Sequence, residues 1–328
     1  MKAKRHVKIV IPCANEGEWL RVTVESVLEH TAYPSFEIVV SANGDRLTDF
    51  SFIEKPGIRG KVRLRKSANF LGVGNARNAA VSRGDAGYYV FLDAHSLVEE
   101  RDWLARAVAS LEERPDVSMI QPEVQNFVYE GELNPGMPFD RSRVRDTIRE
   151  YSIRWSWPYD EPWELTECQT IRRSAMPYEA MSGAGMAIFM RAETFHRLGK
   201  FDSEVVGWFH ETLDYCVRAA LLGQPMLVDP RIRVRHRVKT EGVNYPRIYL
   251  HMFQGALRTA YKYLSPRRRD LAELLFRKHG LNEQVNQALD LVRRGRWLDE
   301  RVRHLRSRVH DDDWLFSKFE VYEEPFLD

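Results

Sequence analysis

Between Val7 and Gln121 the chain repeats one alternation: a short run rich in β-branched or aromatic residues, then a stretch with helical spacing. Val7–Pro12, Phe36–Val40, Lys61–Arg65, Tyr88–Leu92 and Val117–Gln121 are the strand-like runs. Trp19–Glu29, Gly74–Arg83 and Trp103–Glu113 are the helical ones. Strands that alternate with helices argue for a parallel, doubly wound sheet with helices on both faces. Further on, Gly185–Met190, Met226–Val228 and Ile232–His236 read as short strands, and Glu211–Leu222 as a helix ended by Gly223.

The pattern breaks twice. From Tyr129 to Tyr178 the chain is dense in Pro, Gly, Trp and Arg, with Trp155, Trp157 and Trp163 close together. Long irregular segments inside compact domains are usually functional. After Pro246 the sequence is almost all helical, with basic faces around Arg267–Arg269 and Arg293–Arg308 that read as solvated surface, or as a docking face for an anionic membrane or partner. A catalytic domain over 1–240 and a helical region over 241–328 are expected. The 328 residues suffice for one large α/β domain plus that appendage, and a net charge of +2 makes no demand for nucleic acid. Cys13, Cys168 and Cys216 have no metal-ligand spacing and read as reduced thiols. The apolar run near the start is too short for a signal peptide and no stretch has the length of a membrane span, so a cytoplasmic protein, peripheral at most to the inner membrane face, is expected.

The run Tyr89-Val90-Phe91-Leu92 stops on Asp93-Ala94-His95-Ser96. In an open parallel sheet, ligands bind beyond the carboxyl ends of the strands. Residues i and i+2 of a strand point the same way, so Asp93 and His95 can converge. A carboxylate with an imidazole suits a divalent ion such as Mn²⁺ better than Ca²⁺, which prefers oxygen alone. The same residues also suit a strand-end aspartate capping the next helix beside a surface histidine. The row Gly72-Val73-Gly74-Asn75-Ala76-Arg77 is not a dinucleotide fingerprint. Arg77 replaces the last glycine, and the row lies beside the third strand. Its glycines read as letting backbone approach a ligand, and Arg77 as a contact to phosphate or sugar.

In order along the chain, these motifs resemble a nucleotide-sugar-dependent glycosyltransferase of the GT-A fold, from Val7 to Lys239. Ile11-Pro12-Cys13-Ala14-Asn15-Glu16 resembles the first-strand motif of family 2 glycosyltransferases, which cradles the nucleobase. Asn43-Gly44-Asp45 resembles the second-strand motif that holds the uridine, and Asn69 to Asn78 the loop and helix beside the diphosphate. Asp93-Ala94-His95 falls where the family keeps D-x-D. The histidine variant is similar to polypeptide N-acetylgalactosaminyltransferases, in which a late histidine is the third ligand. That implies Asp93, His95 and His236 as the metal set, and Pro12, Ala14, Asn15, Glu16, Asn43, Asp45, Arg77 and Asp93 as donor contacts. Gly207-Trp208-Phe209-His210-Glu211-Thr212 resembles W-G-G-E-N.

The resemblance further implies an α/β fold, a Rossmann-like mixed sheet flanked by helices with a helical C-terminal extension. It implies a Mn²⁺ (or Mg²⁺) enzyme using a UDP-sugar, with a hydroxyl or thiol acceptor on a peptide, protein or glycan. Trp208, Glu211 and Asp214 are the expected catalytic residues, with Glu211 and Asp214 on one helix face. Inverting relatives carry an aspartate base where Thr212 stands, and threonine cannot do that work unaided, so a retaining outcome is expected. Two other readings stand beside it: an inverting family 2 enzyme of cell-surface or lipid-linked glycan assembly, and a non-catalytic nucleotide-sugar binder.

Overall fold

The computed structural model describes residues 5–150, 156–157, 175–206, 210–239, 247–278 and 282–323. The elements of the first half are β1 (Val7–Cys13), α1 (Glu18–Glu29), β2 (Phe36–Asn43), β3 (Val62–Ser67), α2 (Val73–Ala79), β4 (Tyr88–Leu92), β5 (Ser96–Leu97), α3 (Trp103–Glu113), β6 (Met119–Tyr129), β7 (Val144–Glu150) and β8 (Ser156–Trp157). The second half holds β9 (Tyr178–Ala180), β10 (Ala187–Arg191), α4 (Ala192–Arg197), α5 (His210–Leu221), β11 (Met226–Arg237), α6 (Ile248–Tyr263), α7 (Pro266–Lys278), α8 (Asn282–Arg294), α9 (Trp297–Ser307), α10 (Asp312–Lys318) and β12 (Tyr322–Glu323).

One ten-stranded sheet runs in the order β3-β2-β1-β4-β10-β6-β11-β5, with β7 added to β6 and β9 to β11. β1 pairs parallel with β2 and β4, and β2 with β3, as the strand–helix alternation requires. The alternation alone argued for parallel strands; the sheet is mixed, as the family resemblance implies, with β10 antiparallel between β4 and β6. Direction is not written in a run buried on both faces, and Ala187-Ile188-Phe189-Met190 fills that slot in either sense. The two expected strands at Met226 and Ile232 are one strand, β11, with its register broken between Asp229 and Arg233. Part of the supposedly irregular segment is regular: β6 runs on to Tyr129, and β7 returns antiparallel beside it. The charges of Val144-Arg145-Asp146-Thr147 masked that strand in the sequence. Trp155 and Trp163 lie outside the described residues.

The alternation along each strand divides the core. Val7, Ile9 and Ile11 of β1 face one way with Tyr88, Val90 and Leu92 of β4, against α1 and α3. Val10, Tyr89 and Phe91 face the other way, against α4 and α5. α5 is buried nearly all round: Tyr215, Cys216 and Ala219 meet the sheet, while Leu213, Val217 and Leu221 join a second core made with α6, α7 and α8. Not all of the basic C-terminal surface is solvated. Arg268 is buried on Asp312 at 2.7 Å, and Arg301 donates to the carbonyls of Tyr261 and Leu264. Cys13 and Cys216 are free and buried, and Cys168 lies outside the described residues. Among the described residues no helix is long and apolar enough to cross a membrane.

Candidate active site

The end of β4, the turn that follows it and the end of β11 bring Asp93, His95 and His236 to one place. Asp93 follows the last residue of β4, its N–H held by the Met186 carbonyl at 2.9 Å. The chain then turns into β5, which pairs antiparallel with the end of β11 and sets Ser96 opposite His236. Thr23 and Ser26 of α1 anchor β5 by accepting the N–H groups of Ser96 and Val98. One ligand atom from each of Asp93, His95 and His236 lies within 4.8 Å of the other two. The imidazole rings are 4.8 Å apart between centroids.

Each ring has its far nitrogen occupied. Nδ1 of His95 donates to Glu16 Oε2 at 3.0 Å, and Nδ1 of His236 donates to Asn126 Oδ1 at 3.0 Å. Glu16 also accepts from Lys239 at 2.7 Å. Burial alone would raise the Glu16 carboxyl, but its contacts with His95 and Lys239 pull it below the usual carboxylate range. Burial, with the neighbouring His95, pushes His236 well below its ordinary value, so its ring is neutral. Its Nε2 stands 3.7 Å from Asp93 Oδ2. Two imidazole nitrogens and a carboxylate oxygen form a mixed donor set that fits a borderline divalent cation and suits Ca²⁺ poorly.

Beside this cluster Arg77 of α2 is buried, and its fork reaches three partners. Nη1 donates to Glu211 at 3.0 Å, and Nη2 donates to Asp93 Oδ1 at 3.1 Å and to the Gly185 carbonyl at 2.7 Å. Arg77 thus fixes one oxygen of Asp93 and leaves the other toward His236. Burial raises the Glu211 carboxyl against the pull of Arg77. Its Oε2 is buried with no hydrogen-bond partner among the described residues. Thr212 is buried and donates its hydroxyl to Glu211 at 3.1 Å. The glycines before Arg77 serve protein packing. A Cβ on Gly72 would stand 2.3 Å from the Val206 carbonyl oxygen, and one on Gly74 2.9 Å from Glu211 Cβ. They let the start of α5 reach Arg77, where the sequence suggested an approach to ligand.

The loop after β1 is drawn to the end of β2 by Asp45. That carboxylate accepts from the Cys13 thiol, the N–H groups of Asn15, Leu47 and Thr48, and the Thr48 hydroxyl. Asn15 sits at φ 60°, and its side chain accepts from Arg46 N–H. Asn43 is buried and accepts from Leu71 N–H at 2.6 Å. Pro12 and Ala14 are half-buried at the mouth of β1. Asn43 and Asp45 thus hold the loops at the carboxyl ends of β1 and β2.

Asp214 goes elsewhere. It stands one turn beyond Glu211 on α5, and that turn gives it to the helical layer, where it pairs with Lys262 of α6 and lies 3.4 Å from the hydroxyls of Thr259 and Tyr263. Trp208 lies outside the described residues. Sequence reasoning did not find Asn126 or Lys239. Asn126 could be found only through register, since it sits opposite His236 where β6 pairs with β11.

The family description "Glycosyl transferase family 2" matches residues 8–177. Among curated proteins, the chain is 27% identical to probable N-acetylgalactosaminyltransferase 8 of Caenorhabditis elegans, over 56% of this chain and 42% of that protein. It is 26% identical to polypeptide N-acetylgalactosaminyltransferase 11 of Xenopus tropicalis, over 70% of this chain and 37% of that one. Among solved structures, that of GalNAc-T7 with UDP, GalNAc and Mn²⁺ superposes with a TM-score of 0.65 at 18% identity, covering 96% of this chain and 56% of that one. The chain thus spans about two fifths of the length of these curated relatives.

Proposed function

The chain belongs to glycosyl transferase family 2 and takes the GT-A fold, and from that premise we propose that it moves a hexose or N-acetylhexosamine from a UDP-sugar to an acceptor hydroxyl or thiol, using Mn²⁺ or Mg²⁺. The observation that carries the reading is the convergence of Asp93, His95 and His236 at the carboxyl edge of the sheet. A divalent cation bound there would neutralise the charge that grows on the diphosphate as the anomeric bond breaks. Arg77 holds Asp93 in place for that role. The unpartnered oxygen of Glu211 is the acceptor for a sugar hydroxyl, a bond that orients the donor. The loop from Pro12 to Glu16, tied down by Asp45, offers the nucleotide a preformed edge.

Retention of anomeric configuration is supported by the start of α5. Thr212 occupies the place of a base but cannot act as one. A peptide or protein acceptor is supported by the polypeptide-modifying relatives. The test is calorimetry of UDP with and without Mn²⁺, for the native chain and for His95→Ala. Binding that requires both the ion and His95 is expected, after which donor screening and the anomer of the product decide sugar and stereochemistry. UDP binding indifferent to the ion would sink the metal-dependent reading.

A further inference from the structure

We propose that Glu16 and Asn126 are positioning residues of the cation site, each fixing one histidine as the tautomer that turns a bare Nε2 toward Asp93. The inference rests on the metal reading above. A neutral imidazole carries its proton on either nitrogen, and only the other nitrogen can bind a cation. At His236 the choice has consequences. With the proton on Nε2, the ring could donate to Asp93 Oδ2, which lies 3.7 Å away, and a proton would stand where the cation belongs. Asn126 opposes that state by accepting from Nδ1 at 3.0 Å. Glu16 does the same for His95 at 3.0 Å. Neither partner is placed by chance. Asn126 stands opposite His236 in the register of β6 and β11, and Glu16 is clamped by Lys239, just beyond the end of β11.

The two supports differ in charge. A carboxylate raises the basicity of the ring it accepts from more than an amide does, so Glu16 makes His95 the stronger ligand of the pair. Each support is separable by substitution. Glu16→Gln and Asn126→Asp keep an acceptor oxygen, while Glu16→Ala and Asn126→Ala remove it. The Gln variant also leaves Lys239 a partner, which guards against a simple failure to fold.

The experiment reads two quantities on the full chain. Ring-nitrogen ¹⁵N shifts of the metal-free protein report the tautomers. Electron paramagnetic resonance of free Mn²⁺, with no donor present, reports the dissociation constant, and His95→Ala serves as the variant lacking a ligand. Native rings protonated on Nδ1 are expected. The alanine variants should move toward the Nε2–H form and bind Mn²⁺ about 10–100-fold more weakly, with the Gln and Asp variants recovering part of the loss. Unchanged tautomers and unchanged affinity in both alanine variants would overturn the proposal. A native chain that binds Mn²⁺ no better than His95→Ala would overturn the cation reading and this one with it. The ring shifts then distinguish that failure from a failure of Glu16 and Asn126 to set the tautomers.

Discussion

Replacing Lys262 by methionine should destabilise the fold by about 3–5 kcal/mol, the usual cost of stranding one partner of a buried ion pair. Lys262 is 1% exposed and lies between Asp202 and Asp214, with Glu300 at 3.8 Å. Burial would lower its ammonium, but Asp214 and Asp202 keep it well above the usual lysine range. Asp202 survives the substitution, because Arg258 holds it at 2.7 and 3.2 Å. Asp214 does not. It is 0% exposed, Lys262 is the cation in ion-pair contact with it among the described residues, and two hydroxyls at 3.4 Å would remain. Methionine nearly matches lysine in volume, so little of the loss is cavity. For 328 residues the unfolding entropy is about 0.7 kcal/mol/K, which puts the fall in Tm at about 4–7 °C. The assay is thermal unfolding by circular dichroism at pH 7, with Asp214→Asn/Lys262→Met as the companion. Removing both charges should bring stability back to within about 2 kcal/mol of native. A lysine variant within about 1 kcal/mol of native, or a double variant no better than the single, would refute the stranded-charge argument.

Acid should weaken the fold through two buried histidines. Burial depresses His210 to about 4 and His304 to about 3, below the ordinary 6.5, so the unfolded chain takes up their protons first. Stability is full above about pH 6.5 and falls toward pH 4 by about 1.4 kcal/mol per unit for each group, so a urea midpoint that stays flat from pH 7 to 5 contradicts it. Arg77→Ala should cost about 3–5 kcal/mol by leaving Glu211 buried without its cation, and should weaken Mn²⁺-dependent UDP binding; native-like melting would refute the shared role of the guanidinium. Gly74→Val should lower both Tm and UDP affinity, because its Cβ must enter the 2.9 Å gap to Glu211 Cβ, and a variant with native affinity would show that gap to be unimportant.

What the sequence disclosed follows from what a linear pattern can carry. β1, β2 and β4 were legible because a strand buried on both faces needs an unbroken apolar run, and Ile9-Val10-Ile11 or Val90-Phe91-Leu92 is such a run. The spacing of Asp93 and His95 suggested their meeting, but a turn after β4, not strand alternation, brings it about, and His236 entered through family resemblance. The direction of β10 was not legible, because burial has no polarity. The role of Asp214 was hidden because helix spacing names a face but not the neighbour one turn along it. Gly72 and Gly74 could be recognised as close-approach positions, but the approaching residues, Val206 and Glu211, are far away in sequence. Asn126 depends on strand register, which no local stretch records, and Glu16 was legible only as a donor contact, not as the partner of His95.

The salt bridge from Glu16 to Lys239 joins residues 223 positions apart, and the one from Arg77 to Glu211 joins residues 134 apart. Contacts of that span carry the loop-closure entropy of most of the chain between them. A growing chain that has laid down β1 to β6 already holds Asp93 and His95 but neither His236 nor the lysine that clamps Glu16. The cluster therefore comes into being only when β11 docks. A ligand that binds it acts on the completed sheet alone, and its affinity reports the integrity of the whole sheet.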